Sequence, residues 1–147
     1  GLPYETKEEA LVMASLVEKE TGVASERSRV ASVFVNRLEQ GIKLQTDPAV
    51  IYGVTKGQGV LGRGLRQSEL RRETPYNTYV IDGLPPTPIA NPGAAAIDAA
   101  LHPDSTKFLF FVADGSGGHA FAETLEEHNR NVAKWREIEA SRANSGN

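Results

Sequence analysis

The sequence predicts an α+β domain in which helices precede a small antiparallel sheet. Two segments near the start, residues 7–21 and 26–40, have apolar residues at helical spacing, and a third such segment covers residues 125–140. The aromatic and β-branched run 108–112 is followed by a glycine-rich turn and a second short apolar segment, 119–122, which is the pattern of a hairpin. Helices followed by a hairpin are typical of the α+β class.

The ends of the first two helices have recognisable signals. Thr6 and Glu9 have the spacing of a capping box, and Gly22 ends the apolar pattern of the first helix. The second helix has Ser25 as its candidate N-cap and Gly41 as its candidate C-cap. These two helices are therefore the best-defined elements of the sequence.

The middle of the chain is less regular. Residues 49–54 suit either a short helix or a strand, and residues 67–72 suit a short helix. The segment 56–64 is rich in glycine and predicts a surface loop, whereas the prolines within 73–88 exclude a long regular element. Residues 92–101 predict a helix with proline in its first turn.

Composition limits the possible classes of function. The chain has 147 residues, enough for one domain with its own core, so we interpret residues 1–147 as a single domain. Its net charge of −3 argues against nucleic acid as a partner. The sequence has no run of about 18 apolar residues and no cysteine, so we expect no membrane span, disulfide or thiolate metal site within it. Residues 141–147 are predicted to be a frayed tail.

The three histidines do not form a metal motif. His102, His119 and His128 lack the spacing of a zinc site, and we expect neither a metal nor a cofactor. His102 is expected to close a helix, and His128 is expected on a helix surface. His119 opens the second predicted strand directly after the glycine-rich turn, where it could line a cleft.

Glu20 is the residue that points most directly to chemistry. At about 100° per residue, Glu20 projects from the same apolar stripe as Leu16 and Val17, whereas Ser15 and Glu18 fall on the opposite side. Desolvation raises the pKa of a carboxyl group, and a raised pKa suits a general acid near neutral pH. The structural alternative is an ion pair, or a side chain that turns outward where the helix ends.

Several short segments carry a resemblance to a known family. The order of Glu20-Thr21, Leu44-Gln45-Thr46 and Tyr76-Asn77 resembles the motifs of lysozyme-like lytic transglycosylases. Nearly the whole chain is similar to one family within that group, the YceG-like endolytic murein transglycosylases. The segments that carry this closer similarity are residues 14–21, 30–38, 44–48, 76–79, 83–86 and 111–115.

The resemblance implies a lysozyme-like helical catalytic core with a small antiparallel sheet. It implies cleavage of the β-1,4 bond between N-acetylmuramic acid and N-acetylglucosamine in peptidoglycan by an endolytic enzyme that leaves 1,6-anhydro ends and terminates or releases nascent strands. Glu20 matches the catalytic acid of the family and is predicted to be the single general acid and base. The predicted substrate-binding residues are Gln45, Thr46, Asp47, Tyr76, Asn77, Thr78 and His119.

The resemblance also implies partners and a location. Peptidoglycan glycan strands are the expected partner, and proteins of cell-wall synthesis are candidates. Family members carry an N-terminal membrane helix and a LysM-like domain, and neither is present in this sequence. The expected location is the bacterial cell envelope, at the periplasmic face of the inner membrane, with membrane contact only through such additional segments.

Two other functions fit the same residues. A non-catalytic module could bind peptidoglycan or act as a scaffold, although a binder has no need of a desolvated acid at Glu20. An inverting muramidase could use Asp47 as the base that activates water, and its products would differ in mass from anhydro products by one water. Asp47 precedes Pro48 and also suits a helix cap or an Asx-turn.

Overall fold

A computed structural model describes residues 1–145 of the chain, with side-chain detail for residues 1–143. Within this range the chain forms six α-helices, one short 3-10 helix and a two-stranded antiparallel sheet, which confirms the α+β class. The 3-10 helix, Ala24–Glu26, lies directly before α2. The other elements are α1 Lys7–Glu20, α2 Arg27–Gln40, α3 Asp47–Thr55, α4 Gln67–Arg71, α5 Ala94–Leu101, β1 Phe110–Ala113, β2 His119–Ala122 and α6 Leu125–Ser145.

The first two helices have most of the end signals that the sequence predicts. Thr6 and Glu9 form the reciprocal capping box of α1, and Gly41 ends α2 in the left-handed conformation with a φ of 70°. The predicted Ser25 cap is wrong, because Ser25 lies inside the 3-10 helix. Glu26 stands at the N-cap of α2 but makes no side-chain capping bond, since its carboxylate is bound by the hairpin.

Helix α1 is the central helix of the core. It packs against α2, α3 and α5, and every residue from Val12 to Val17 is buried. The predicted division of α1 into an apolar and a polar face is therefore wrong at Ser15. The Ser15 hydroxyl donates to the carbonyl of Val12 and accepts the N–H of Ile89, so this buried side chain is satisfied.

The region between α2 and the hairpin includes three helices. Residues 49–54, left open between helix and strand, belong to α3, which begins with Asp47 and has Pro48 in its first turn. Helix α5 begins at Ala94, two residues after Pro92, because Gly93 takes the N-cap position. The carboxylate of Glu18 accepts the N–H of Gly93 at 2.6 Å and connects α1 to the start of α5.

The hairpin packs on the helices through aromatic side chains. Strands β1 and β2 pair with Phe111 opposite Phe121, and the ring of Phe111 meets that of Phe34 edge to face at 5.8 Å. Strand β1 begins at Phe110, two residues later than predicted. Helix α6 covers the hairpin and continues to Ser145.

The prediction of a frayed tail is wrong for residues 141–145, because no glycine or proline interrupts the helix before residue 146. The rest of that predicted tail, residues 146–147, lies outside the described residues. None of the helices within residues 1–145 combines the length and the apolar character that a membrane-spanning helix requires.

Candidate active site

A cleft of about 420 Å³ opens between the helical core and the hairpin. Three parts of the chain line it. The helical core contributes Glu20, Val33, Phe34 and Arg37, and the segment that leads into α3 contributes residues 44–48, with Tyr79 beside it. The hairpin and the start of α6 contribute Leu109, Phe110, Phe111, Leu125 and His128. The wall formed by residues 44–48 and Tyr79 is therefore the polar wall of the cleft. The wall formed by the hairpin and the start of α6, the hairpin wall, is largely aromatic and apolar.

Glu20 lies at the C-terminal end of α1 and extends into this cleft. The hydroxyl of Thr46 donates a hydrogen bond of 2.7 Å to Oε1 of Glu20. Among residues 1–145, no lysine or arginine forms a salt bridge with Glu20. The ion pair that was the structural alternative at this position is thus not formed in the described part of the chain.

The surroundings of Glu20 favour its protonated form. Burial raises the pKa of the Glu20 carboxyl, and the negative charge of Asp47 raises the pKa further. The hydrogen bond from Thr46 and the electrostatic influence of His119 act in the opposite direction and are weaker than the effect of burial. A carboxyl with a raised pKa in an open cleft can donate a proton near neutral pH.

Thr78 fixes the backbone that carries Thr46. The Thr78 hydroxyl accepts the N–H of Thr46 at 2.9 Å and donates to the carbonyl of Thr46 at 3.0 Å. The carbonyl of Thr78 also accepts the N–H of Gln45 at 3.1 Å. Because both backbone groups of Thr46 are held by one side chain, its hydroxyl is positioned toward Glu20.

Gln45 has a left-handed backbone conformation, with a φ of 52°. This conformation costs a residue other than glycine roughly 1–2 kcal/mol. It is stabilised here by the bond to Thr78 and by the side chain, whose Oε1 lies 3.5 Å from Nη1 of Arg37. Gln45 therefore lies between the acid end of the cleft and Arg37.

Asp47 and Tyr79 form a second polar pair on the same wall. The hydroxyl of Tyr79 donates to Oδ1 of Asp47 at 2.6 Å, and both residues line the cleft. Burial raises the pKa of the Tyr79 phenol, and its bond to Asp47 raises it further, so Tyr79 remains a donor at neutral pH. Tyr79 was not predicted as a site residue, although it belongs to the segment 76–79 that carries the family resemblance.

Asn77 supports the site from behind. Its side chain is fully buried, and its amide donates to the carbonyls of Glu69, Leu70 and Arg72 at 3.2, 3.1 and 2.7 Å. Its side-chain oxygen accepts the N–H of Tyr79 at 3.0 Å. Asn77 thus connects residues 76–79, here called the Tyr79 segment, to α4.

The structure separates the predicted substrate-binding residues into two groups. Gln45, Thr46 and Asp47 line the cleft, whereas Asn77 and Thr78 have no exposed side-chain surface that a sugar could contact. A direct contact of any of these residues with substrate stays a prediction.

Tyr76 also lies outside the lining of the cleft. Its hydroxyl is 2.7 Å from the hydroxyl of Thr87, and its ring packs against that of Tyr52 at 4.9 Å between centroids. The Cβ of Tyr76 also approaches Gly53, where an added methyl group would come within 2.9 Å of it. Tyr76 therefore holds the Tyr79 segment against α3.

His119 is held by Glu26. Nδ1 of His119 lies 2.8 Å from Oε1 of Glu26, and the backbone N–H of His119 donates to Oε2 at 2.9 Å. Both side chains are nearly buried, and the ring of His119 meets that of Phe111 edge to face. His119 does not line the cleft, but it is close enough to influence Glu20 electrostatically.

The hairpin wall contains cleft residues that the sequence did not reveal. His128, predicted on a helix surface, lines the cleft, and its Nδ1 is buried, so that prediction is wrong. Its ring stacks on that of Phe110 at 4.8 Å between centroids. The helical spacing of α2 predicts that Arg37 either snorkels to the surface or forms a pair; in the structure it lines the cleft and forms no salt bridge among the described residues. The spacing within α2 and α6 carried no signal of the cleft itself, because the cleft forms only when the hairpin folds back.

Within residues 1–145, no three histidine, cysteine, aspartate or glutamate side chains are grouped so that they could hold a metal ion. The side chains that line the cleft supply carboxyl, hydroxyl, amide, guanidinium and imidazole groups.

The fold and the cleft together define a class of protein. It is an α+β domain whose central helix presents a protonatable glutamate to an open, polar cleft. Glycoside-cleaving enzymes commonly use a carboxylic acid with a raised pKa in such a setting.

Comparison with known proteins identifies the family. The model of the YceG-like family matches residues 1–134, so the chain belongs to the YceG-like family. Its relative from Bacillus subtilis (strain 168), named endolytic murein transglycosylase, is 44% identical over 125 residues, which are 85% of this chain and 34% of the relative. A relative of the same name from Streptococcus pneumoniae serotype 2 (strain D39 / NCTC 7466) is 37% identical over 135 residues, 88% of this chain and 24% of the relative.

A solved structure supports the same assignment. The crystal structure of a yceG-like protein from Listeria monocytogenes matches with a TM-score of 0.74 and 41% identity, over 84% of this chain and 38% of that one. The chain thus spans between 24% and 38% of the length of these relatives.

Proposed function

We propose that this chain is the catalytic part of a peptidoglycan lytic transglycosylase. In this proposal the cleft binds a glycan strand, and Glu20 cleaves the β-1,4 bond between N-acetylmuramic acid and N-acetylglucosamine. The observation that carries the proposal is the position of Glu20, which lines an open cleft, accepts one hydrogen bond from Thr46 and has no cationic partner among the described residues. Burial raises the pKa of this carboxyl, which supports the same role. The names of the relatives from Bacillus subtilis and Streptococcus pneumoniae support the substrate class.

The reaction needs one group that first gives and then takes a proton. Protonated Glu20 donates its proton to the glycosidic oxygen while the bond between that oxygen and the muramyl C1 breaks. The C6 hydroxyl oxygen of the same muramyl residue then bonds to C1, and the Glu20 carboxylate takes the hydroxyl proton. The products are a free 4-hydroxyl group and a 1,6-anhydromuramyl end, and no water is consumed.

Intramolecular attack is favoured because the nucleophile is already tethered to the reacting ring. The muramyl 2-acetamido group is positioned to stabilise the positive charge that develops at C1, as in substrate-assisted glycosidases. Leu16 and Val17 lie one helical turn before Glu20 on the same side of α1, and both are fully buried. Burial of the Glu20 carboxyl keeps it protonated before the reaction.

The polar wall of the cleft has a supporting role in this proposal. Thr46 donates to Glu20 and holds the carboxyl in one orientation. Gln45 and Asp47 lie on the same wall and have free acceptor or donor capacity for the sugar hydroxyl and acetamido groups. Asn77 and Thr78 act as positioning residues, since their hydrogen bonds fix the Tyr79 and Thr46 segments.

The cellular role follows from the substrate. Peptidoglycan places the protein in the bacterial cell envelope, and we propose the periplasmic face of the inner membrane as its site of action. Cleavage within strands would terminate or release nascent glycan chains, and contacts with cell-wall synthesis proteins would suit that role. Membrane anchoring would come from segments other than the described residues.

An inverting hydrolase with Asp47 as its general base is an alternative that can be tested. Asp47 lines the same cleft as Glu20 and its carboxylate is exposed, so in an inverting muramidase it would activate water. Against this role, one oxygen of Asp47 accepts the hydroxyl of Tyr79 at 2.6 Å, which holds the carboxylate in place. The third possibility, a glycan-binding module, would leave peptidoglycan intact.

Mass spectrometry of muropeptides distinguishes these functions. Purified peptidoglycan is incubated with the chain, with Glu20→Gln and with the matched control Glu18→Gln, which changes a carboxylate of the same helix that is bound to Gly93. We expect anhydromuramyl products from the unmodified chain and from Glu18→Gln, and none from Glu20→Gln. Reducing ends, heavier by one water, would instead make Asp47 a general base, and intact peptidoglycan with retained binding would indicate a binding module.

A further inference from the structure

The cleft that contains Glu20 is also lined by a cationic side chain, Arg37, that the proposed reaction does not use. Its Nε donates to the carbonyl of Leu109 at 2.6 Å, and its Nη1 donates to the carbonyl of Lys43 at 2.7 Å. Its guanidinium also lies 5.1 Å from the ring centroid of Phe110. These contacts hold the guanidinium in one orientation and use only two of its three nitrogens.

The positive charge of Arg37 has no anionic partner in the described part of the chain. Within residues 1–145, no carboxylate lies at salt-bridge distance from Arg37, although the residue is only 7% exposed. Burial lowers the pKa of the guanidinium, but an arginine stays charged at neutral pH. A buried and unpaired cation is costly, so an anion or carbonyl oxygen in the cleft would be bound strongly.

His128 adds a second unpartnered polar group to the same cleft. Its Nδ1 is buried without a hydrogen-bond partner among the described residues, and its ring is stacked on Phe110 with an interplanar angle of 20°. Burial and the nearby charge of Arg37 both lower the pKa of His128, so the imidazole is neutral at neutral pH. His128 therefore places an uncharged imidazole with one unsatisfied ring nitrogen beside a fixed cation, and both groups pack against Phe110.

We propose that Arg37 and His128 bind the lactyl–peptide branch on C3 of the muramyl residue. This inference rests on the proposed function and specifies which sugar occupies the position next to Glu20. The two sugars of peptidoglycan differ at C3, where only the muramyl residue carries a lactyl ether and its peptide stem. Recognition of this branch would allow an enzyme that breaks the bond at the muramyl C1 to select the correct bond of the alternating strand.

The arrangement of the cleft suits this occupant. Thr46 contacts Glu20, and its neighbour Gln45 contacts Arg37, so the acid and the cation are joined along a single short segment. C1 and C3 belong to one sugar ring, so a muramyl residue with C1 at Glu20 carries its branch within the same cleft that Arg37 lines. The branch offers the lactyl carbonyl, the peptide carbonyls and the carboxylates of the stem, all of which accept hydrogen bonds from a guanidinium.

Binding of three soluble glycans of equal length tests the proposal. They are a muramyl oligosaccharide with peptide stems, the same oligosaccharide after amidase removes the stems and frees the lactyl carboxylates, and a chito-oligosaccharide with no branch. Glu20→Gln is used throughout, so that no ligand is cleaved. We expect the chito-oligosaccharide to bind about tenfold more weakly than the better muramyl ligand, the order of effect expected for charge-assisted hydrogen bonds.

The two muramyl ligands identify the part of the branch that is bound. Stronger binding of the stem-bearing ligand indicates a carbonyl or carboxylate of the stem, and equal or stronger binding of the stem-free ligand indicates the lactyl group. Equal affinity for all three glycans overturns the inference but leaves the proposed function standing. Failure of the folded protein to bind any of the three overturns both.

Variants of His128 test the site itself. His128→Phe keeps an aromatic ring on Phe110 and removes both ring nitrogens, and His102→Phe is its control, because His102 is an exposed residue at the end of α5. We expect His128→Phe to lose several-fold affinity for the better muramyl ligand and none for the chito-oligosaccharide. Arg37→Lys, which keeps the charge but not the fork of donors, should also lose that preference. The inference is contradicted if a variant loses equal affinity for the muramyl ligand and the chito-oligosaccharide. It is also contradicted if neither His128→Phe nor Arg37→Lys loses affinity for the muramyl ligand.

Discussion

Glu20 and Glu69 are two glutamates with restricted exposure and opposite acid–base properties. Glu69 is 6% exposed, and it accepts two bonds from Arg63, at 2.7 and 2.9 Å, and one from the N–H of Arg66 at 2.9 Å. These hydrogen bonds, with the charges of both arginines, lower the pKa of Glu69 to about 2. Glu20 has one hydroxyl donor and no salt bridge among the described residues, and burial raises its pKa.

The contrast shows that burial alone does not mark a functional carboxylate. Glu69 is fully satisfied, so it holds the glycine-rich segment against α4 and has no proton to give. Glu20 is half-buried and only partly satisfied, and it faces an open cleft. The difference lies in the partners that the fold supplies, and it can be tested by changing each glutamate in turn.

The largest expected effect is on activity. We expect Glu20→Gln to lower kcat on peptidoglycan by about 10²- to 10⁴-fold, the usual contribution of a general acid or base. Glu69→Gln, assayed well below its melting temperature, should keep kcat close to that of the unmodified chain. Release of anhydromuropeptides over time measures both. Comparable losses in the two variants, at equal folded fraction, would remove the distinction between the two glutamates.

The next effect is on the dependence of stability on pH. The folded pKa of Glu20 lies above its ordinary value of 4.5, so its ionisation destabilises the fold as pH rises above 4.5. Glu20→Gln is therefore expected to raise Tm at neutral pH, by roughly 2–4 °C for each kcal/mol of relief, and to have little effect below pH 4.5.

Glu69→Gln should have the opposite effect on stability. Because the folded pKa of Glu69 is about 2, its contribution to stability is fully present above pH 4.5 and is lost as pH falls toward 2. The variant should lower Tm at neutral pH, and the loss should disappear in acid. Glu126→Gln is the control, since the pair of Glu126 with Arg130 is exposed and worth little. Thermal unfolding at several pH values measures Tm for the three variants. Shifts of Tm in the same direction for Glu20→Gln and Glu69→Gln would contradict the opposite pKa shifts of the two glutamates.

A smaller effect is expected on the pH profile of the reaction. The hydroxyl of Thr46 lowers the pKa of Glu20, so Thr46→Val should move the basic limb of kcat/KM to higher pH, and Thr46→Ser should leave it in place. The charge of Asp47 raises the pKa of Glu20, so Asp47→Asn should move that limb to lower pH. Loss of activity at every pH in Asp47→Asn would indicate instead that Asp47 is a base.

The parts of the fold that the sequence predicts are those governed by local interactions. The capping box at Thr6, the glycine that ends α2 and the hairpin turn each depend on residues close in sequence. Glu20 could also be singled out, because a carboxylate on an apolar stripe is unusual. The reasoning that singled out Glu20 was incomplete, because it assumed one apolar face on α1. The buried Ser15 shows that α1 is buried on more than one side.

The parts that the sequence did not predict depend on contacts between distant segments. Arg37 and His128 are more than 90 positions apart in the chain, and they share a cleft only because the hairpin and α6 fold against α2. Asn77 and Thr78 were expected at the substrate, but their hydrogen bonds go to the backbone of other segments. The chemical type of a polar residue does not reveal whether its side chain contacts the substrate or binds the backbone of another segment.

The most direct test of this account is a carboxyl titration by ¹³C NMR of the folded chain. Signals of the two glutamates are assigned with Glu20→Gln and Glu69→Gln, and their chemical shifts are followed with pH. The account predicts that Glu20 titrates above 4.5 and that Glu69 titrates near 2, well separated within one protein. A Glu20 that titrates at or below 4.5 would contradict its assignment as a protonated general acid.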